Sequence, residues 1–146
     1  MQILVADDDP VYRSLLQGLL EESNFDVQLA SDGAEALAAL QLQGAPSIAI
    51  LDLKMPHMDG YEVCRAIRQR ERGPSLYILL MTGNSSREEL LRIVVAGADD
   101  YLTKPFDRAE LCARLRTGQR IVDLEKELSA KNRALDDLNT RLARMT

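Results

Sequence analysis

Short apolar runs alternate with longer amphipathic stretches along most of this chain. Runs rich in isoleucine, leucine and valine fall at residues 2–6, 25–30, 47–51, 76–81 and 99–102, and helical patterns lie between them at 10–22, 33–43, 59–71 and 86–97. This alternation is typical of a parallel sheet whose strands are joined by helices. Because such crossovers are right-handed, the helices cover both faces of the sheet. The pattern therefore predicts an α/β fold with five parallel strands.

Polar side chains that could bind a cation or a phosphoryl group follow four of these five runs. They are Asp7 with Asp8, Asp52, Thr82 and Lys104. In open parallel sheets, ligands bind beyond the carboxyl ends of the strands, so these groups are expected to meet at one edge. Two carboxylates about 4 Å apart repel each other by roughly 4 kcal/mol at an effective dielectric constant of about 20, and a divalent cation removes that conflict. Carboxylates, water and phosphate are ligands that suit Mg²⁺. The sequence therefore predicts a magnesium site at this edge of the sheet.

Asp52 is a candidate nucleophile at this edge. A carboxylate can attack phosphorus to give an acyl phosphate, whose charge then needs a cation, a hydroxyl donor and backbone N–H groups nearby. Lys104 could supply the cation, Thr82 the hydroxyl and Gly83 the space for backbone donors. Taken singly, these residues also have ordinary structural interpretations, and Asp9 before Pro10 is predicted to be only a helix cap.

Four separated motifs resemble the receiver domain of two-component response regulators. They are the acidic pair after the first run, LDLKMPHMDG around Asp52, MTG with Thr82, and DDYLTKPF with Lys104. The resemblance covers about residues 1–120, with the motifs in the family's order and spacing. It implies a flavodoxin-like (CheY-like), doubly wound sheet with strand order 2-1-3-4-5. It also implies a histidine kinase or phosphotransfer protein as the phosphoryl donor.

The resemblance assigns roles around the phosphoryl group. It implies that Asp52 is the phosphoacceptor and that Thr82 and Lys104 hold the phosphoryl oxygens. Tyr101 would be the aromatic side chain whose rotamer follows Thr82 as this residue moves toward the phosphoryl group. The family also suggests a cis peptide bond between Lys104 and Pro105.

The resemblance likewise implies a set of Mg²⁺ ligands. Asp8, Asp52 and the backbone carbonyl of Lys54 would bind the ion, with Asp7 reaching it through water. Lys54 and Asn84 flank the site and vary within the family, so their effect on the lifetime of the phosphate is not decided by the motifs.

The pattern changes after Phe106, where no further strand is predicted and residues that favour helices run to the end. Apolar residues then follow the alternating 3-4 spacing of a coiled coil, with one lysine among them: Ile121, Leu124, Leu128, Lys131, Leu135, Leu138, Leu142 and Met145. We therefore predict a receiver domain over residues 1–118 and, over 119–146, a coiled-coil helix through which two chains dimerise.

The heptads continue to the last residues, so an output domain is expected beyond them. The segment LDDLNTRLARMT resembles linkers that precede diguanylate cyclase (GGDEF) domains. Serine phosphatase and histidine kinase outputs use similar helices. A DNA-binding output is disfavoured, because winged-helix and helix-turn-helix domains usually follow flexible linkers.

Charge and hydropathy limit the partners. The net charge is −5, yet the residues from Asp107 onward carry nine basic and seven acidic side chains, so the part before them is strongly acidic and unlike a nucleic-acid-binding surface. No apolar stretch approaches the roughly 20 residues that cross a bilayer, and the N-terminus has no signal-peptide pattern. We predict a cytoplasmic location without direct nucleic-acid or membrane contact. Because that compartment is reducing, Cys64 and Cys112 are predicted to be free thiols.

Two other functions stay open at this point. Asp7, Asp9 and Val11 match the Asp-x-Asp-x-Val pattern of haloacid-dehalogenase-like phosphatases. That family needs acidic ligands downstream of its lysine, however, whereas Asp99 and Asp100 lie upstream of Lys104. The second alternative is a receiver fold that dimerises without accepting phosphate. On the receiver interpretation, the chain is not an enzyme beyond its own phosphorylation and dephosphorylation.

Overall fold

A computed structural model of the chain describes residues 1–70, 76–83 and 86–145. Within these residues, five strands alternate strictly with five helices. They are β1 (Gln2–Ala6), α1 (Pro10–Glu22), β2 (Asp26–Ala30), α2 (Gly33–Gln41), β3 (Ile48–Asp52), α3 (Gly60–Arg68), β4 (Tyr77–Thr82), α4 (Arg87–Ala96), β5 (Asp100–Thr103) and α5 (Arg108–Met145).

The five strands form one parallel sheet in the order β2-β1-β3-β4-β5. The predicted α/β fold and the strand order implied by the resemblance are both confirmed. Neighbouring strands end at nearly the same level, since Ala6 is paired with Leu51, Asp52 with Met81, and Thr82 with Thr103. This register brings the polar residues at the strand ends to one edge of the sheet.

Alternate residues of the central strands point into two separate cores. Along β1, Leu4 and Ala6 face the core that α2, α3 and α4 cover, whereas Ile3 and Val5 face the core beneath α1 and α5. Strands β3 and β4 are buried on both faces along their whole length. Each large apolar side chain that is fully buried stabilises the fold by about 1.5–3 kcal/mol, which fixes the strand register and with it the geometry of the edge.

Helix caps fix where the helices begin near that edge. The side chain of Asp9 accepts a hydrogen bond from the backbone N–H of Val11 at 2.9 Å, and Pro10 is the first residue of α1, as predicted. Ser86 caps α4 by accepting from the N–H of Glu89 at 3.2 Å. These caps start both helices just after the strands that carry the polar groups.

Helix α5 is continuous over 38 residues, or about 57 Å. Its first part packs on the sheet, where Gly118 lies so close to Tyr77 that an added Cβ would stand 2.6 Å from the aromatic ring. The packing extends one turn past the predicted boundary at 118, because Val122 is only 1% exposed and Ile121 is half-buried against the same core. Among the described residues, no helix is both long enough and apolar enough to cross a membrane.

The remaining apolar residues of the predicted seam are exposed on this helix. Their side chains are 51–80% accessible in the single chain: Leu124, Leu128, Leu135, Leu138, Leu142 and Met145. The helix that follows the sheet contact is therefore an amphipathic rod with one uncovered apolar stripe.

Candidate functional site

The polar residues singled out from the sequence converge at the carboxyl ends of the strands. The ammonium nitrogen of Lys104 donates to Asp7 Oδ2 at 2.9 Å and to Asp52 Oδ2 at 3.1 Å, which joins residues that are 97 and 52 positions apart in the chain. The backbone N–H of Lys104 also donates to the carbonyl of Thr82 at 2.7 Å. The end of β5 is thus tied to the ends of β1, β3 and β4.

Three carboxylates form a compact acidic cluster at this edge. Asp7, Asp8 and Asp52 each offer one oxygen, and these atoms lie within 4.8 Å of one another. Asp7 is completely buried and Asp52 is 8% exposed, whereas Asp8 is open to solvent. Hard oxygen donors with one side open to water are what Mg²⁺ prefers, so this donor set fits the ion.

Burial and charge shift the titration of the two groups that face each other in the site. Burial, together with the carboxylate of Asp7, raises the pKa of Asp52 to about 6, although Lys104 opposes the shift. Burial alone would lower the pKa of Lys104, but the hydrogen bonds and charges of Asp7 and Asp52 outweigh it and raise that pKa. The lysine is therefore a cation at neutral pH. Asp52 is mostly ionised at neutral pH and becomes protonated as the pH falls through about 6.

This shift predicts how the stability of the metal-free protein depends on pH. Because the pKa of Asp52 rises from 3.8 to about 6 on folding, the native protein binds more protons than the unfolded chain between these values. The resulting contribution to stability is fully present below about pH 4 and is lost as the pH rises through about 6, a change on the order of 3 kcal/mol.

Urea unfolding in EDTA at a series of pH values should reveal that loss in the wild-type protein. Asp52→Asn lacks the titrating group and should not show this loss. The difference in free energy of unfolding, variant minus wild type, should therefore increase as the pH rises from 4 to 7. Parallel pH profiles for the two proteins would contradict the prediction.

The remaining predicted residues lie around this cluster. Thr82 ends β4 and is 2% exposed, and Tyr101 on β5 is half-buried beside Arg114, whose guanidinium carbon lies 5.7 Å from the ring centroid. Lys54 is exposed, and its backbone N–H lies 3.4 Å from Asp52 Oδ1. Asn84 is outside the described residues. The peptide bond between Lys104 and Pro105 is cis, as the resemblance suggested.

An open cleft of about 570 Å³ leads to the acidic cluster. It is lined by Asp8, by Lys54 and Pro56 of the loop that follows β3, and by Glu89 and Arg92 on α4. The cleft therefore carries both acidic and basic side chains beside the acidic cluster.

One contact at this site was not foreseen from the sequence. The ammonium nitrogen of Lys104 lies 4.3 Å from the centroid of the Tyr12 ring, and this ring packs in turn against Phe106. The only available signal was the position of Tyr12 in the first turn of α1, three residues after the capping Asp9. That position by itself does not indicate a lysine near the end of β5.

Comparison with protein families and curated sequences gives a consistent result. Residues 3–116 match the family described as the response regulator receiver domain. The chain is 42% identical over 123 residues to the "DNA-binding dual master transcriptional regulator RpaA" of Synechocystis, covering 84% of this chain and 50% of that protein. It is 42% identical over 135 residues to the "Response regulator MprA" of Mycobacterium ulcerans, covering 92% and 57%. The chain thus spans about half the length of these curated relatives.

Solved structures show the same fold. The Francisella response regulator 1452 receiver domain superposes with a TM-score of 0.75 at 29% identity, covering 82% of this chain and 96% of that one. A probable two-component system response regulator/GGDEF domain protein superposes with a TM-score of 0.77 at 29% identity, covering 84% of this chain and 50% of the other.

Proposed function

This chain belongs to the response regulator receiver family, and on that basis we propose that Asp52 accepts a phosphoryl group in a reaction that requires Mg²⁺. The observation that carries the proposal is the bridge from the Lys104 ammonium to the carboxylates of Asp7 and Asp52, at 2.9 and 3.1 Å. It puts a half-buried cation beside a carboxylate that is 8% exposed at the edge of the sheet. The phosphoryl donor is proposed to be a histidine kinase or phosphotransfer protein in the cytoplasm.

The proposed Mg²⁺ ligands are Asp8, Asp52 and the backbone carbonyl of Lys54, with Asp7 acting through water. Both oxygens of Asp7 already accept hydrogen bonds, one from the N–H of Asp9 at 3.0 Å and one from Lys104 at 2.9 Å. Asp7 is also completely buried, whereas Asp52 is 8% exposed and Asp8 is open to solvent, and this burial supports an indirect role for Asp7. When bound, Mg²⁺ supplies positive charge that offsets the carboxylates and the incoming phosphoryl oxygens.

In the proposed reaction, a carboxylate oxygen of Asp52 attacks phosphorus and forms the new P–O bond while the bond to the donor breaks. With a pKa of about 6, Asp52 is largely ionised at neutral pH and needs no separate base. Lys104 then binds a phosphoryl oxygen, and the Thr82 hydroxyl donates to another. Tyr101 is proposed to change rotamer as Thr82 moves.

Intact-mass measurement after incubation with acetyl phosphate tests the proposal. One phosphoryl group per chain is expected with Mg²⁺ present, and none with EDTA in its place. Peptide mapping should find the group on Asp52. Modification at Asp7 would instead support the phosphatase alternative, and an unmodified protein would support a receiver fold that works without phosphate.

Two observations weigh against the phosphatase alternative. Its second acidic position, Asp9, uses its side chain to cap α1 by accepting from Val11 at 2.9 Å. Asp7, the nucleophile in that alternative, is completely buried beneath Lys104. The receiver interpretation requires no rearrangement of either residue.

We also propose that α5 pairs with a second copy of this chain as a parallel coiled coil. The support is the exposed apolar stripe, in which Leu124 to Leu142 are 51–59% accessible in the single chain. Arg120 and Glu125 occupy flanking heptad positions where opposite charges attract across a parallel pair. Such a rod would carry a change at Asp52 to whatever domain follows it.

For the output, we propose a diguanylate cyclase. The support is the likeness of the last part of α5 to linkers before such domains. The Synechocystis relative is named as a DNA-binding regulator, and the solved relative with a GGDEF domain shows that this fold also accompanies that output. No nucleic-acid contact is proposed for the receiver itself.

Lys131→Leu should strengthen dimerisation by about tenfold or more. Lys131 is the charged residue in an otherwise apolar seam, and in the single chain it is exposed and pairs with Glu127 at 3.5 Å. Replacing it removes the desolvation of two ammonium groups and adds apolar contact at the dimer core. Sedimentation equilibrium of the full chain would measure the dissociation constant.

Lys126→Leu is the matched control, because Lys126 lies at the outer f position of the preceding heptad. It should leave the dissociation constant within about twofold of the wild-type value. Equal effects of the two substitutions would contradict pairing through the predicted seam.

A further inference from the structure

We propose that Tyr12 is a positioning residue that holds the Lys104 ammonium in the phosphoryl site through the face of its aromatic ring. This inference rests on the proposed function of Asp52. The ammonium nitrogen lies 4.3 Å from the Tyr12 ring centroid, inside the roughly 6 Å range of cation–π attraction. The lysine side chain is only 18% exposed, so the contact is partly shielded from water.

The ring is fixed in place from two sides. Tyr12 lies in the first turn of α1, whose start is set by the Asp9 cap and by Pro10. Its ring packs against Phe106 with centroids 6.1 Å apart and planes inclined at 60°. Since Phe106 follows Lys104 by two residues, the same short segment carries both the cation and the support of the ring.

Tyr12 differs from the other two partners of the ammonium in one respect. Asp7 and Asp52 hold the lysine by charge, at 2.9 and 3.1 Å. Both carboxylates are also proposed to serve the metal, and Asp52 becomes part of an acyl phosphate when it accepts the phosphoryl group. The negative charge that the ammonium faces at Asp52 is then carried by the phosphoryl oxygens. The ring takes no part in these steps, so it keeps the ammonium facing the phosphoryl oxygens throughout.

The competing explanation is that Tyr12 only packs against Phe106. Tyr12→Phe preserves the ring and loses the hydroxyl, whereas Tyr12→Leu loses the ring. Replacing Tyr12 by phenylalanines with increasing numbers of fluorine atoms keeps the shape of the ring while the negative charge on its face is progressively removed. This series separates electrostatic attraction from packing, and it remains informative if the leucine variant folds poorly.

Beryllofluoride, which imitates the phosphoryl group on a carboxylate, is the probe. In the full chain with Mg²⁺, Tyr12→Leu should weaken its binding by about three- to tenfold, a range typical of a partly buried cation–π contact. Tyr12→Phe should stay within about twofold of the wild type. Affinity should decline steadily along the fluorinated series. In a Lys104→Met background, changing Tyr12 to leucine should have no further effect.

A second readout is independent of phosphate chemistry. Lys104 is one of four lysines, so its ε-carbon signal can be resolved by ¹³C NMR of lysine-labelled protein. The ring should shift this signal upfield, and Tyr12→Leu should abolish the shift while Tyr12→Phe retains it. A wild-type protein that binds no beryllofluoride would refute the proposed function. Unchanged affinity along the fluorinated series, or an effect that persists without Lys104, would overturn the role of Tyr12.

Discussion

Asp52→Asn is expected to abolish phosphoryl transfer to this protein. The amide that replaces the carboxylate is not a nucleophile toward phosphorus, and it also leaves only two of the three clustered carboxylates that fit Mg²⁺. With acetyl phosphate and Mg²⁺, incorporation should fall from one group per chain to below about a hundredth of that value. Intact-mass spectrometry over a time course would measure it.

Loss of labelling has to be separated from loss of the fold. Asp52→Asn removes a buried charge that faces Asp7, so the metal-free variant should be at least as stable as the wild type at pH 7. Asp26→Asn is the matched control, because Asp26 is an exposed carboxylate at the opposite end of the sheet. It should be labelled normally. Full labelling of Asp52→Asn would refute Asp52 as the phosphoacceptor.

Gly60→Ala should damage both the stability and the site. Gly60 begins α3 and lies against the end of β3, where an added Cβ would stand 2.6 Å from the carbonyl oxygen of Asp52 and 3.1 Å from the Cα of Leu53. Both contacts are with backbone, so the conflict can be relieved only by moving the helix or the strand end. We expect a loss of about 3 kcal/mol in the free energy of unfolding.

The same displacement should slow phosphorylation of the folded fraction of Gly60→Ala by about tenfold or more, because the carboxylate of Asp52 leaves its place beside Lys104. Urea unfolding and initial labelling rates would measure the two effects. Gly18→Ala is the matched control: nothing lies within 4 Å of its Cβ position, and Gly18 is an exposed residue inside α1. It should raise stability by up to about 1 kcal/mol. Equal stability of the two variants would contradict the close approach at Gly60.

Much of the site could be predicted because it depends on local rules. Asp52 and Thr82 follow apolar runs that could only be buried strands, and parallel strands place their carboxyl ends at one edge. The contacts of Lys104 with Asp7 and Asp52 follow from that arrangement together with charge. The assignment of each role came from the family's motifs, since spacing alone does not distinguish a phosphoacceptor from a metal ligand.

The contact between Tyr12 and Lys104 could not be predicted in this way. It depends on how far α1 rotates over the sheet and on the path of the segment from Lys104 to Phe106. Both are set by packing among many side chains. The same holds for α5, whose contact with the sheet continues to Val122 because Gly118 lets the helix approach Tyr77 closely.

The sequence by itself determined the five strands, their parallel arrangement and the set of polar residues at their ends, because the alternation of apolar runs and the positions of charged groups are local properties of the chain. Only the tertiary structure decided which neighbours those groups have. It put the face of Tyr12 against Lys104, buried Asp7 completely while leaving Asp8 open, and moved the end of the α5 contact to Val122. The reason is that distances between side chains on different elements follow from how the helices pack on the sheet, and that packing is a property of the whole core.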